Sequence, residues 1–189
     1  MKHGLKTMFP SPSKPVVGRS SVIIRKSAEE VFRFIGEDFF EDYPKWSPEV
    51  KNLRALSDGP VRVGTLARQV RVDFGYRSES DFRVLEFQKY QRFVWAGLGH
   101  VGDVLRMSAF RCVYDLKAAP FSESCTRVDF TFEIPELDFV MRPFERLVRV
   151  VIQKGAAHSL WNIKGRIERG KARCFFSVPP RRLACIASP

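Results

Sequence analysis

The apolar positions of this chain change period twice. After a proline-rich opening, residues 20–25 read as a short β-rich run, Ser-Ser-Val-Ile-Ile-Arg. Ser27 follows, and Glu30 stands three residues on. That pair is a capping box, and the acids Glu29 and Glu30 suit the positive end of a helix. Val31, Phe34 and Ile35 share one face of the helix that results. A second short helical turn is predicted over residues 38–43, ended by Pro44, with a turn at Trp46-Ser47-Pro48.

From Val50 the period becomes two. Strands are predicted at 50–56, 63–74, 76–87, 92–98, 103–116 and 125–134. The punctuation is a turn at 57–60, Gly75, a turn at 88–91, a loop bearing Gly97, Gly99 and Gly102, and a loop at 117–124. With the first run this makes seven strands joined mostly by short loops, an antiparallel meander. After Pro135 the period lengthens again. Met141, Phe144, Val148, Ile152, Ala156, Leu160, Ile163 and Ile167 recur at helical spacing and predict one long helix over 138–168. Pro143 is tolerable in its first turn. Residues 170–189 lose all periodicity, and no internal repeat is evident. The expected organisation is a flexible lead-in over 1–18, one α+β domain over 19–169, and a basic, flexible tail over 170–189.

Five segments resemble one superfamily in the right order. Ser27-Ala28-Glu29-Glu30-Val31-Phe32 resembles the opening "apapeeVf" of START/Bet v 1-like (SRPBCC) proteins. Tyr43 to Val50 resembles the "y-x-x-W-x-p-x-V" segment, and Gly59 to Thr65 the "gp-vGt" turn. Thr126-Arg127-Val128 resembles the "gTrVt" strand start, with Cys125 where Gly is common. Leu160-Trp161-Asn162-Ile163-Lys164 with Glu168 resembles the closing "L-x-x-l-K-x-x-x-E". The polyketide cyclase/dehydrase-like branch fits best. The resemblance implies a helix-grip fold, in which a curved seven-stranded sheet wraps the long C-terminal helix and two short helices follow strand 1. It also implies a cavity for an apolar ligand between sheet and helix.

Strand parity nominates the side chains that face such a cavity. Leu66, Val70, Val72 and Phe74 share parity, and Arg68 falls among them, so Arg68 is expected to point inward. Tyr76, Ser78, Ser80, Phe82 and Val84 share parity in the next strand, with Ser78 and Ser80 as small polar groups. Phe93 pairs with Trp95, and Val128, Phe130, Phe132 and Ile134 agree. Phe110, Cys112, Tyr114 and Leu116 agree, but Leu105 and Met107 are out of step, which suggests a bulge. The expected ligand-binding set is Trp46, Leu66, Arg68, Val70, Tyr76, Ser78, Ser80, Phe82, Trp95, Phe110, Tyr114, Phe130, Phe132, Phe144, Val148 and Ile152. A buried guanidinium needs an anionic or carbonyl partner, so Arg68 would orient such a ligand end. The competing reading of Arg68 is an ion pair to a protein acid. The two tryptophans and the serines have a competing reading as plain core.

Composition changes this picture in three places. The chain has 189 residues and a formal net charge of +11, which invites an anionic partner. The charge is +6 over residues 1–27, −3 over 28–137 and +8 over 138–189. The predicted ligand-binding body is therefore mildly acidic, and its aromatics fall on apolar parity, so nucleic acid is not the expected partner. The basic tail, with Phe175 and Phe176, leaves an anionic membrane surface as a partner for that end. Cys112, Cys125, Cys174 and Cys185 lack metal-ligand spacing and read as reduced. His3, His100 and His158 are far apart, so no metal and no cofactor are expected. The opening residues lack the apolar core of a signal peptide, and cytoplasm is the expected compartment. No nucleophile–base constellation is apparent, so no catalytic residue is nominated. The leading reading is a binder of a hydrophobic small molecule or lipid. The alternatives are an aromatase/cyclase-type enzyme on a polyketide-like substrate and a partner module acting through the basic ends.

Overall fold

The period-two region folds into a single sheet. The computed structural model describes residues 14–73, 75–98, 109–119, 122–137 and 139–169. Expectations placed on residues 1–13, Phe74, His100, Leu105, Met107 and the 170–189 tail lie outside the described residues. The strands are β1 (Val16–Ile24), β2 (Val50–Ala55), β3 (Leu66–Asp73), β4 (Tyr76–Gln88), β5 (Arg92–Leu98), β6 (Arg111–Ala119) and β7 (Ser122–Ile134). Their order across the sheet is β1-β7-β6-β5-β4-β3-β2, antiparallel throughout. β2 to β7 follow one another as the expected meander, and β1 returns to pair with β7. β1 begins at Val16, inside the expected lead-in, because Val16 is fully buried and stands opposite Ile134. Gly75, at φ +82°, makes the tight reversal between β3 and β4 that a side chain would strain.

Two short helices cap one end. In α1 (Ala28–Phe32) the capping box forms: the Glu30 N–H donates to Ser27 Oγ at 3.2 Å, and the Ser27 N–H donates to Glu30 Oε2 at 3.4 Å. A π-helical turn, Arg33–Glu37, leads into α2 (Phe39–Trp46). Pro44 lies inside α2 instead of ending it. In so short a helix its missing N–H forfeits one bond, and the Ser47 N–H still reaches the Tyr43 carbonyl at 3.0 Å. α2 drives Phe39 into the sheet, where its ring meets those of Phe82 (5.8 Å), Phe93 (5.3 Å) and Trp95 (5.8 Å) and stacks on Tyr43 (4.9 Å).

The long helix is divided. A 3-10 segment, Phe139–Phe144, contains Pro143, and α3 runs over Glu145–Arg169. α3 lies along β1, the open edge of the sheet, and its polar side chains take up edge groups that a further strand would pair. The Arg19 N–H donates to Gln153 Oε1 (3.0 Å), and Gln153 Nε2 donates back to the Arg19 carbonyl (2.6 Å). Lys164 Nζ donates to the Ile23 carbonyl (2.5 Å), and the Arg25 N–H donates to Glu168 Oε1 (2.9 Å). Gly18 permits this approach, since a Cβ there would sit 2.8 Å from the Ile152 carbonyl oxygen. Ala156, Leu160 and Ile163 are buried, as the apolar stripe predicts. Toward the N-terminus the stripe fails: Met141 and Phe144 are exposed, and Val148 and Ile152 are half-buried. The whole is the helix-grip arrangement: a curved antiparallel sheet, short helices after β1, and a long C-terminal helix.

Candidate functional site

Between the sheet and the middle of α3 lies a cavity of about 740 Å³. Its wall on β3 is Gln69, Arg71 and Asp73. Its aromatic wall is Trp95 of β5, Phe110, Cys112 and Tyr114 at and within β6, and Phe130 and Phe132 of β7. α2 and the turn after it add Tyr43, Trp46, Ser47 and Glu49. α3 closes the side with Val151, Ile152, Lys154, Gly155, Ala156, His158 and Ser159. Phe110 reaches its place because Gly97 has no side chain: a Cβ at 97 would lie 2.2 Å from Phe110 Cε1. The Phe110 ring then stands edge-on to Trp95 (5.5 Å) and stacks on Phe132 (5.5 Å).

Arg71 organises the polar wall. Its Nε and Nη2 donate to the two Asp73 carboxylate oxygens, each at 3.1 Å. Its Nη1 donates to the Tyr43 hydroxyl at 3.0 Å and to Ser47 Oγ at 3.4 Å. A guanidinium has five N–H groups, so one is left over. Burial disfavours the charge of Arg71, but Tyr43 and Asp73 outweigh it and its pKa is raised. Burial pushes the Tyr43 hydroxyl up to about 12, against the pull of Arg71. Burial likewise raises the Tyr114 hydroxyl, whose hydrogen-bonding neighbour is Ser159, and the Cys112 thiol. At neutral pH the wall therefore holds the Arg71 cation beside three protonated weak acids, Tyr43, Cys112 and Tyr114. Arg71 and Lys154 are matched in number by Asp73 and Glu49, so the charged wall residues balance. Three further wall atoms are buried without a hydrogen-bond partner: Trp46 Nε1, Trp95 Nε1 and Gln69 Oε1.

Of the residues nominated from parity, Trp46, Trp95, Phe110, Tyr114, Phe130, Phe132 and Ile152 come together on the cavity wall. The inward placement of Arg68 is corrected. Ala67 and Gln69 are buried and Arg71 lines the cavity, so Leu66, Arg68 and Val70 occupy the opposite, outer face of β3. There Arg68 forms a two-pronged pair with Asp81 (2.7 and 2.9 Å) and meets Glu79 at 3.5 Å. The phase inverts because the inner face of β3 carries the polar cavity wall, while half-buried aliphatics stand outside. On β4, Phe82 faces inward but is sealed beneath Phe39 and Trp95, as core. Ser80 is buried and accepts from Gln69 Nε2 at 3.2 Å, and Ser78 stands opposite Arg71. Neither serine reaches the cavity. Tyr76 is exposed beside the β3–β4 turn, and Phe144, in the 3-10 segment, and Val148, in the first turn of α3, lie off the wall. Parity reasoning missed Tyr43, Gln69, Arg71 and Asp73. The signal present was Gln69-x-Arg71-x-Asp73, three polar residues at period two inside a strand.

Among the described residues no group of His, Cys, Asp and Glu is placed to hold a metal ion, and no helix is long and apolar enough to cross a membrane. Comparison with known proteins agrees with the fold. A protein of Thermus thermophilus superposes with a TM-score of 0.63 at 17% identity, over 82% of this chain and 99% of that one. A START superfamily protein of Mycobacterium smegmatis gives 0.62 at 16%, over 81% and 97%. The Zhui aromatase/cyclase of a Streptomyces species gives 0.64 at 11%, over 82% and 94%. Identities this low speak for the fold alone. No curated protein matches the chain. The sequence model described as "Polyketide cyclase / dehydrase and lipid transport" matches residues 16–168, from the first residue of β1 nearly to the end of α3, and the chain belongs to that family.

Proposed function

We propose that the protein binds a hydrophobic small molecule or lipid whose polar end is uncharged. The observation that carries this reading is the pairing of an aromatic wall with a guanidinium already neutralised by Asp73. The aromatic wall favours a flat or flexible apolar body by area burial. The leftover Arg71 N–H favours an acceptor, and the balanced charges of the wall give a carboxylate no net attraction over a ketone or alcohol. Matched ligands of one chain length test it: a fatty acid, its alcohol and a ketone, titrated by fluorescence displacement. The neutral members should bind at least as tightly as the acid. Arg71→Gln should weaken the ketone about tenfold, the value of one lost charge-assisted bond. Arg68→Ala, on the outer face, should leave all three unchanged. A tenfold preference for the acid, or insensitivity to Arg71→Gln with the fold intact, overturns the reading.

A second reading, ring closure on a polyketide-like substrate, draws on Arg71 beside a protonated Tyr43. An N–H and an O–H at a bound carbonyl supply the acid side of enolisation. The tyrosines and thiol of the wall are held neutral and Asp73 is bound to Arg71, so the base would be His158 at the rim or the Glu49 carboxylate. Turnover of a poly-β-ketone that is abolished in His158→Ala would favour it.

A further inference from the structure

Over its first two-thirds α3 carries apolar side chains that stand exposed among the described residues. Leu147 is 63% exposed, Val150 51% and Trp161 64%, and Val151 is also exposed. Residues 147, 150, 151, 154, 158 and 161 follow at three- and four-residue steps, so they form one outward stripe. This stripe lies well around the helix from the buried Ala156, Leu160 and Ile163. Arg142, in the 3-10 segment, and Arg146 and Arg149 of α3 run at similar spacing along one flank. Arg142 is paired with Glu136 (3.0 Å) and Arg149 with Glu145 (2.7 Å), both exposed pairs that headgroups can replace. Between residues 136 and 161 four basic residues stand against Glu136, Asp138 and Glu145, a charge of +1, with Arg146 and Lys154 on the exposed side of the helix. On the other flank is the cavity, and the stripe forms its rim: Val151, Lys154 and His158 belong to both.

We propose that this stripe docks on an anionic lipid surface, with α3 lying in the interface and the cavity mouth turned to the bilayer. Three features select that occupant. The apolar residues form a shallow row and no pocket, which suits insertion among acyl chains. The cations flank the row as interfacial helices require for acidic headgroups, and Trp161 at its far end is the side chain that favours the headgroup boundary. The row ends at the mouth of a cavity built for apolar material, so docking gives a ligand a route that avoids water. The docking rests on α3 alone; only the role of the mouth rests on the binding reading above.

Flotation of the full chain with vesicles tests it, using phosphatidylcholine alone and with added phosphatidylglycerol. The protein should float with the anionic vesicles and far less with the zwitterionic ones. Trp46 and Trp95 are buried, so a blue shift of tryptophan emission on binding reports Trp161. The triple variant Leu147→Gln, Val150→Gln, Trp161→Ala changes exposed positions off the cavity wall. It should lose about tenfold or more in vesicle affinity, the scale of three apolar contacts forfeited. Its displacement titration with the apolar probe in vesicle-free buffer should be unchanged, which separates this proposal from the binding reading. No flotation, equal flotation with both vesicles, or full flotation of the triple variant overturns the proposal. So does a wild-type dimer in solution that the triple variant converts to monomer, since a second copy would then be what covers the stripe.

Discussion

Tyr43 links the aromatic core to the polar wall, and its titration should be visible in stability. Its hydroxyl accepts from Arg71 while its ring stacks on Phe39. Burial raises its pKa from 10.0 to about 12, so the folded state holds this proton more tightly than the unfolded state does. The stabilisation is fully present below about pH 10 and is lost as pH rises through about 12, a change on the order of 2–3 kcal/mol. Cys112 and Tyr114 are shifted upward by burial too, and add slope in the same direction. Urea midpoints taken from about pH 9 to 11 should therefore fall for the wild type and fall less steeply for Tyr43→Phe. An unchanged slope in Tyr43→Phe would move the effect to Cys112 and Tyr114. None of this was legible in the sequence. Tyr43 reads there as part of a family segment, and Arg71 as an outward residue opposite Val70 and Val72. Parity assigns a polar side chain to solvent, and it fails where the interior itself is a polar wall.

At the scale of elements, the strand phases were legible wherever the inner face is core. Phe93 with Trp95, and Val128 with Phe130, point inward as their spacing predicts. β3 inverts for the reason that makes it interesting. α3 shows the same limit: its stripe predicts a buried helix, and the C-terminal half obeys because Ala156, Leu160 and Ile163 meet the core. The N-terminal half faces a cavity on one side and solvent on the other, and periodicity alone cannot tell those from a core. What holds that half in place is the β1 edge. Gln153→Ala removes two hydrogen bonds to the Arg19 backbone and should cost about 1–2 kcal/mol. Gly18→Ala forces a methyl group against the Ile152 backbone and should cost about 1–3 kcal/mol. Because Ile152 lines the cavity, Gly18→Ala should also change probe affinity, whereas a substitution on the outer face of β3 should not. Denaturant unfolding and probe titration on the same samples check both, and a Gly18→Ala protein with wild-type stability would mean that α3 does not press on β1 as described.

For the whole molecule, the sum of charges mattered less than its distribution. The +11 belongs to the ends, and the sheet body that encloses the cavity is −3 over residues 28–137. Much of that body's charge is spent in pairs on the outer sheet face, such as Arg68 with Asp81 and Lys117 with Asp129 at 3.1 Å. The interior is what remains incomplete. A cavity of about 740 Å³ leaves Trp95, Tyr114, Phe130 and the middle of α3 without neighbours on one side. A ligand that fills it acts on the native state alone, so at 100 times its dissociation constant it should add about 2.7 kcal/mol. For a domain of this size that is a rise in Tm of roughly 5–10 °C. The stabilisation should also be local. Amides near Ile152 and Ser159 of α3, and near Cys112 and Tyr114 of β6, touch the filled space and should exchange more slowly with ligand bound. Amides of β2, at the far edge of the sheet, should change only as far as global stability does. A ligand that raises Tm while leaving the α3 and β6 amides at their unliganded rates binds somewhere other than this cavity.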